Sequence, residues 1–392
     1  MPIRLRHTAV LLLIFMLTAL AAVAVTGCFG PEGPEMRLGF VATFSGEGFR
    51  TGRDALEAAR FAVESARRRG LPAIGGRPCR VRLIVADDKD SPVEASRVVT
   101  DLIAKKHVMA IIGPYDSDLA DDAALAAEAA GVPLVAPSAT AAVITANRPH
   151  IFRIAFTDAF QGLVLGRLAR QELHLSRVAV IANQDSLSST SLTQAFTQAF
   201  TACGGSAPVF TYVDRSRDFG DVVAKALAAK PEALFLPNSN AETVLLALAA
   251  RKAGFTGTLL GGDSWSGPEV SRLAAFDGAY FVDHWRADAA PGKRSHAYVA
   301  AYLRERHRPP TELGALTQDA VDVVLAAVAK AGSTEPEAVT RALVALPPYD
   351  GVTGSLDFVD DGNPVKSLCI SHVKDGGTRL DTLEMPPPAP CP

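Results

Sequence analysis

Short apolar stretches alternate with longer amphipathic stretches along most of the chain. Short apolar stretches bounded by turn residues are typical of buried strands, and longer stretches with one apolar face are typical of helices. The pattern predicts strands at residues 36–43, 80–86, 108–112, 133–136, 178–182, 209–213, 233–236, 258–260 and 278–281. It predicts helices at residues 51–69, from 91 onward, and at 119–130, 163–173, 192–202, 219–229, 241–253, 295–306, 317–330 and 336–346. Such alternation indicates parallel sheets covered by helices on both faces, and a chain of this length favours two α/β lobes.

Two apolar segments near the C-terminus flank a cluster of turn residues. Residues 355–358 and 370–373 lie on either side of Asp360-Asp361-Gly362-Asn363. Aspartate, asparagine and glycine are favoured in turns, so the sequence predicts that the two segments pair as a hairpin.

The chain begins with the features of an export signal. Arg4 and Arg6 precede an uncharged apolar run at residues 9–25, which ends in Val25-Thr26-Gly27-Cys28. A basic start, an apolar run and small residues are typical of a secretory signal. The last four residues resemble a lipobox, which implies cleavage before Cys28 and anchoring of the mature chain outside the cytoplasm by acyl chains on Cys28. An uncleaved membrane helix and a plain signal peptide are the alternatives, although the run is at the short limit for spanning a bilayer.

Charge and cysteine content narrow the class of protein. The formal net charge is −3, and it becomes −5 without the two arginines of the export signal. The absence of a strong basic patch argues against a nucleic-acid partner. Four further cysteines allow three disulfide connectivities. The sequence contains no CxxC pair, so it does not predict a zinc site. The four cysteines are Cys79, Cys203, Cys369 and Cys391, the last in a proline-rich tail.

Several short motifs occur in order between residues 37 and 377. They are residues 111–117, residues 131–140, Phe152-Arg153, Asp158 with Gln161-Gly162, residues 261–265, and Asp357 with Gly362-Asn363-Pro364. Through these motifs and their order, the chain resembles the periplasmic binding proteins of branched-chain amino-acid transporters. The resemblance implies a type I fold, in which two doubly wound α/β lobes are joined by three crossings of the chain. It also implies a small amino-acid-like solute in the cleft, lobe closure by a hinge motion, and an ABC permease as partner.

The resemblance divides the chain into five parts. These are a signal peptide at residues 1–27, a linker at 28–35, a first lobe at 36–155 and 285–345, a second lobe at 156–284 and 346–383, and a tail at 384–392. Ligands of open parallel sheets bind beyond the carboxyl ends of strands, near helix N-termini. The predicted site residues therefore follow strands.

Three predicted strands are followed by polar residues that suit an amino acid. The hydroxyl of Ser117 and nearby backbone N–H groups suit a carboxylate, although Ser117 also suits a helix N-cap. The resemblance implies the same role for Ser117, and contacts from Ser138, Ala139 and Thr140 in the next loop. It implies that Asp263 pairs with the ammonium group of the solute, a charge-assisted contact. A turn aspartate is the alternative interpretation of Asp263.

Two positions depart from the family pattern. Ser188 and Asn238 stand where the family has aromatic residues that pack on the side chain of the solute. The second-lobe side of the cleft is therefore expected to be more polar or roomier. For this reason the resemblance does not imply that the solute is a branched-chain amino acid. Thr51 is a further candidate for the cleft wall.

Two other classes of function are compatible with parts of the sequence. Residues 46–52 follow a strand with the spacing GxGxxxG, and Asp87-Asp88 ends the next strand. This imitates a dinucleotide-binding fingerprint, but its spacing departs from GxGxxG, and an exported protein rarely meets free NAD. A ligand sensor of the same fold is the other alternative. The sequence predicts a monomeric binding protein without cofactor, metal or catalytic residues.

Overall fold

The computed structural model describes residues 34–46, 48–214, 216–290, 292–358 and 360–384. The predicted export signal, lipidation at Cys28, the proline-rich run at 386–390 and Cys391 lie outside these residues. Within them, no helix is long and apolar enough to cross a membrane.

Strands and helices alternate as the hydrophobic pattern predicts. The strands are β1 (Glu35–Ala42), β2 (Ala73–Ile74), β3 (Arg77–Pro78), β4 (Arg80–Asp87), β5 (Ala110–Ile112), β6 (Leu134–Ala136), β7 (Ile151–Arg153), β8 (Val178–Asn183), β9 (Val209–Tyr212), β10 (Ala233–Phe235), β11 (Thr258–Gly261), β12 (Tyr280–Asp283), β13 (Tyr349–Gly351), β14 (Gly354–Phe358), β15 (Pro364–Val365), β16 (Leu368–Lys374) and β17 (Gly377–Glu384). The α-helices are α1 (Phe49–Arg68), α2 (Pro92–Lys106), α3 (Ser117–Ala129), α4 (Asp158–Arg167), α5 (Leu187–Ala202), α6 (Gly220–Ala228), α7 (Asn240–Lys252), α8 (Pro268–Ser271), α9 (Gly292–Arg306), α10 (Glu312–Ala331) and α11 (Pro336–Val344).

Two main sheets confirm the predicted α/β class, beside a three-stranded sheet β13-β14-β15 and the pair β2-β3. The first sheet is parallel, with strand order β4-β1-β5-β6-β7. The second has the order β17-β16-β12-β11-β10-β8-β9 and is parallel except at β16 and β17. Each sheet has a hydrophobic core on both faces. Central strands such as β8 are buried along their whole length, as parallel strands covered on both faces require.

The third crossing between the lobes lies later in the chain than the predicted boundary at residue 345. Leu356 and Phe358 of β14 pack in the core of the first lobe, and Leu368 is the next core residue of the second lobe. Residues 346–365 therefore belong to the first lobe. The predicted hairpin is also wrong, because β14 pairs with β13 and β15 while β16 pairs with β12 and β17.

The described cysteines differ in oxidation state. Cys79 and Cys369 are buried free thiols, and Cys203 is disulfide-bonded. Burial raises the pKa of both free thiols. Because the thiolate is the reactive form, Cys79 and Cys369 are inert packing residues.

Candidate functional site

A cleft of about 1290 Å³ lies between the two lobes. The first lobe contributes the segments that follow β5 and β6, and the second lobe contributes those that follow β8, β10 and β11. The carboxyl ends of both sheets therefore meet at one cavity, which is where ligands of doubly wound folds bind. The predicted site residues that line it are Thr51, Ser117, Ser138, Thr140, Ser188, Asn238 and Asp263.

Ser117 lies at the first position of α3, but it does not cap the helix. The N-cap is Asp116, whose side chain accepts a hydrogen bond from the Asp118 N–H at 2.8 Å. The Ser117 Oγ instead accepts hydrogen bonds from the N–H groups of Thr140 and Ala141, each at 3.2 Å. The hydroxyl hydrogen of Ser117 is left to donate into the cleft. A carboxylate, that of Asp116, also lines the cleft at this helix end.

A buried arginine fixes the loop that carries Ser138 and Thr140. Arg153 donates to the carbonyl of Ala139 at 3.0 Å and to the carbonyl of Ala141 at 2.8 Å. Burial lowers the pKa of Arg153 to about 10, so it remains charged at neutral pH. Ala139 is buried, with its carbonyl bound to Arg153, and it does not line the cleft. Ser138 Oγ donates to the Tyr115 carbonyl at 2.8 Å.

Asp263 belongs to a chain of polar side chains on the opposite wall. Its Oδ1 accepts from Gln161 Nε2 at 3.0 Å, and its Oδ2 lies 3.1 Å from His284 Nε2. The same Gln161 amide donates to Asp158 Oδ1 at 2.7 Å. Desolvation lowers the pKa of His284, which is therefore neutral and donates through Nε2 to Asp263. Asp263 is thus held in place by two neutral donors, and neither neutralises its charge.

Glu312 and Asp283 flank the hinge between β12 and the first lobe. Glu312 Oε1 accepts hydrogen bonds from the N–H groups of His284 and, at 3.3 Å, Trp285. Burial raises the pKa of Glu312 well above its usual value. Burial also raises the pKa of Asp283 to about 6, although the Ser371 hydroxyl donates to it and Arg286 lies 3.6 Å away.

Asn238 is buried, and both of its side-chain polar atoms form hydrogen bonds within the second lobe. Its Oδ1 accepts from the Asn183 N–H and from Ser189 Oγ, both at 3.0 Å, and its Nδ2 donates to the Ile181 carbonyl at 2.7 Å. The amide therefore ties the ends of β8 and β10 together. Ser188 lies beside it with its Oγ 3.1 Å from Ser186 Oγ. Where the family pattern has aromatic rings, the wall here consists of these polar groups and of Leu192, Val244, Leu245 and Leu273.

The glycine-rich segment at residues 46–52 has a packing role. A Cβ atom on Gly52 would lie 1.9 Å from the Thr43 carbonyl oxygen, so only glycine lets α1 approach β1 this closely. Asp88, the candidate ribose ligand, instead accepts from Thr43 Oγ1 at 2.7 Å and from the Asp90 N–H at 3.1 Å. These contacts account for the glycine and the acid without a dinucleotide.

A contact between Asp118 and the start of α5 joins the lobes at the cleft rim. Asp118 in α3 accepts hydrogen bonds from Ser186 Oγ at 2.9 Å and from the Leu187 N–H at 2.5 Å. Both donors lie at the N-terminus of α5, where a carboxylate is favoured by the helix dipole. A first-lobe carboxylate therefore binds the N-terminus of a second-lobe helix, and the lobes are in contact at this rim.

Comparison with known proteins agrees with this geometry. Residues 35–378 match the periplasmic binding protein family. The chain belongs to that family. This confirms the resemblance drawn from the motifs, and it makes the chain a solute-binding protein of the kind that serves ABC transporters.

Individual relatives of this periplasmic binding protein differ in ligand. The leucine-, isoleucine-, valine-, threonine- and alanine-binding protein of Pseudomonas aeruginosa is 23% identical over 71% of this chain and 75% of its own. A leucine-binding protein of Thermotoga maritima superposes with a TM-score of 0.84 at 27% identity, covering 90% of this chain and 99% of that one. A solute-binding protein of R. palustris in complex with benzoate superposes with a TM-score of 0.79 at 22% identity, covering 90% of this chain and 97% of that one. These similarities confirm the type I fold.

Sequence reasoning missed several polar residues of the site. Asp158 and Gln161 were recognised only as motif residues, and His284, Glu312 and Asp118 were not singled out. The three-residue spacing of Asp158 and Gln161 is the available signal, since in a helix it places both side chains on one face. The predicted helix begins only at residue 163, whereas α4 begins at Asp158. The roles of His284, Glu312 and Asp118 depend on contacts between segments far apart in the chain, which local patterns do not reveal.

Proposed function

We propose that this protein is an extracytoplasmic lipoprotein that binds an amino acid or related small solute in the interlobe cleft and delivers it to the permease of an ABC importer. The observation that carries the proposal is the meeting of Ser117 and Thr140 from the first lobe with Asp263 from the second at one cavity. Lipidation of Cys28 would hold the protein at the membrane that contains the permease.

The two walls suit the two ends of an amino acid. Ser117 offers a hydroxyl at a helix N-terminus, where orphan N–H groups favour a carboxylate. Ser138 and Thr140 flank this point on a loop fixed by Arg153. Across the cleft, Asp263 presents a charged carboxylate to an ammonium group, and a desolvated pair of this kind is stronger than a neutral hydrogen bond.

The lobes would close on the solute because the solute contacts both of them. A solute that binds both walls has a higher affinity for the closed arrangement and shifts the population towards it. The Asp118 contact to α5 adds to the stability of that arrangement. The closed form would be the one that the permease recognises.

Calorimetric titration with amino acids, amides and short carboxylates tests the proposal. We expect at least one amino acid to bind, and Asp263→Ala and Thr140→Ala each to weaken it by about ten-fold or more, the equivalent of one lost charge-assisted bond. Binding as tight as that of the parent in both variants would overturn the site assignment. Cys28→Ala should move the protein from the membrane fraction to the soluble fraction, and unchanged membrane association would overturn the anchoring.

A further inference from the structure

One end of the first lobe is rich in arginine and lysine. Residues 65–86 contain six arginines and no acidic residue, and α2 ends with Lys105 and Lys106. The negative charge of the whole chain predicts no strong basic patch, but the fold brings these segments together. The basic end consists of Arg37, Arg67, Arg68, Arg69, Arg77, Arg80, Arg82, Lys105 and Lys106.

Contacts around the start of β1 hold these segments side by side. The Arg80 N–H donates to the Pro34 carbonyl at 3.1 Å, and β1 and β4 pair in parallel from their first residues. The Arg37 guanidinium donates to the Lys106 carbonyl at 3.2 Å, which joins the end of α2 to β1. Between α1 and β4 the chain forms only the short hairpin of β2 and β3, so the end of α1 lies here as well. The basic end is therefore at the amino ends of the strands, opposite the cleft.

The basic side chains outnumber the acids that pair with them. Glu35 lies 2.8 Å from Arg37 and 3.9 Å from Arg82. The pKa of Glu35 lies below its usual value because Arg37 donates a hydrogen bond to it and because Arg82 and Arg80 are nearby. The other acids paired with the basic end are Asp101, Glu305 and Asp322.

Three side chains of the basic end have no acid of the protein as a partner. Arg67, Arg77 and Lys106 are exposed and form no ion pair within the described residues. An anion from outside the protein can therefore bind them without breaking an ion pair of the fold.

The proposed lipid anchor lies close to the basic end. Cys28 precedes Pro34, the first described residue, by six positions, and an extended chain of that length spans at most about 20 Å. Lipidation of Cys28 would therefore hold the amino end of β1 near the surface of the membrane. Clusters of about four to eight lysines and arginines close to a membrane bind anionic lipid headgroups.

We infer that the basic end of the first lobe binds anionic phospholipid headgroups of the membrane that anchors the protein. This inference rests on the proposed lipidation of Cys28 and goes beyond solute binding. Strand β1 has eight residues, so its length separates the basic end from the cleft by about 25 Å. The contact with the membrane therefore leaves the cleft accessible to the solute.

Cosedimentation with vesicles tests the inference on the full mature chain. The chain begins at residue 28 and carries Cys28→Ser, so that only the folded surface can bind. The vesicles consist of phosphatidylcholine alone or of equal parts of phosphatidylcholine and phosphatidylglycerol. The test variant combines Arg67→Gln, Arg77→Gln and Lys106→Gln. The control variant combines Lys225→Gln, Lys230→Gln and Lys252→Gln, which remove the same charge from exposed side chains of the second lobe.

We expect the parent to bind the anionic vesicles at least about ten-fold more tightly than the neutral ones, and to lose this preference as salt is added. The test variant should lose at least about ten-fold in affinity for the anionic vesicles, since each basic residue near such a surface contributes about five-fold. The control variant should bind as the parent does. Melting curves of all three proteins establish that the variants are folded.

Equal binding to both kinds of vesicle, no binding to either, or the same loss in both variants would overturn the inference. An acidic protein surface, such as one on the permease, would then be the better partner for the basic end. Any of these results leaves the proposed function intact, because the solute titration and the fractionation of Cys28→Ala test that function separately.

Discussion

Replacing Asp118 with alanine should weaken solute binding while both lobes stay folded. The Asp118 carboxylate of the first lobe binds the N-terminus of α5 in the second lobe, accepting hydrogen bonds of 2.9 Å from Ser186 Oγ and 2.5 Å from the Leu187 N–H. Neither donor is part of the first lobe, so these contacts exist only when the lobes are together. Their loss therefore penalises the closed arrangement alone.

The size of the effect follows from the two bonds and the helix end. A hydrogen bond to a charged group contributes about 1.5–3 kcal/mol, and a carboxylate at a helix N-terminus about 0.3–1 kcal/mol. Asp118 is half-buried, and water partly replaces its contacts in the open form, so we expect a joint effect of about 1.5–2.5 kcal/mol. If the free protein is mostly open, the Kd of the solute rises by the same free energy, about ten-fold to seventy-fold.

Calorimetry with the best-bound amino acid measures that change, and small-angle scattering with and without solute measures closure. Asp121→Ala is the matched control, because Asp121 lies in the same helix but pairs with Arg148 inside the first lobe, at 2.7 Å. The reasoning would be refuted if Asp118→Ala bound the solute as tightly as Asp121→Ala and closed to the same radius of gyration.

Three further predictions concern buried polar groups. Asn238→Leu should lower the free energy of unfolding by about 2–3 kcal/mol, because it removes from a buried site the acceptor of the Ser189 hydroxyl and the donor to the Ile181 carbonyl, while the Asn183 N–H keeps Ser189 Oγ as an acceptor; urea denaturation measures this, and a loss below 1 kcal/mol would contradict it. Arg153→Lys should weaken solute binding more than about five-fold, because one ammonium cannot reproduce the fork of bonds that fixes the loop; unchanged affinity by calorimetry would show that the loop does not need this support. Burial raises the pKa of Asp158 to about 6, above its unfolded value of about 4, so the folded state binds more protons and its stability falls as pH rises between these values. Asp158→Asn should therefore melt at a higher temperature than the parent at pH 8, with a smaller difference at pH 4, and an equal difference at both would contradict the shift.

Much of the fold and part of the site could be predicted from local sequence. Hydrophobic periodicity located most strands of the two main sheets but not β7 or β17. The polar residues after the parallel strands line the cleft because the carboxyl ends of parallel strands meet at one edge. Helix α2 begins as its sequence favours, with Pro92 at the first helical position and Ser91 Oγ accepting from the Glu94 N–H at 3.5 Å. These features depend on residues close in the chain, which local rules describe.

The errors involve choices between distant partners. Residues 355–358 and 370–373 are equally suitable for a hairpin, but β16 instead continues the second sheet beside β12. Ser117 and Asp116 both suit an N-cap, and Asp116 takes the role because the Ser117 hydroxyl binds the loop after β6. Asp158 resembles an ordinary first-turn aspartate, and only the position of Gln161 and Asp263 around it distinguishes it.

The late third crossing bears on how the chain folds after export. Strand β16 joins β12 only after the chain has returned to the first lobe and built α9 to α11 and β13 to β15, and Ser371 and Asp283, which meet in this pairing, are 88 positions apart. Pairings of such long range form slowly, and until β16 arrives β12 is an open edge that can pair with other chains. Strands β16 and β17 therefore protect the second lobe against aggregation, and a chain that stops before Leu368 would keep a complete first lobe beside a second lobe with an exposed edge.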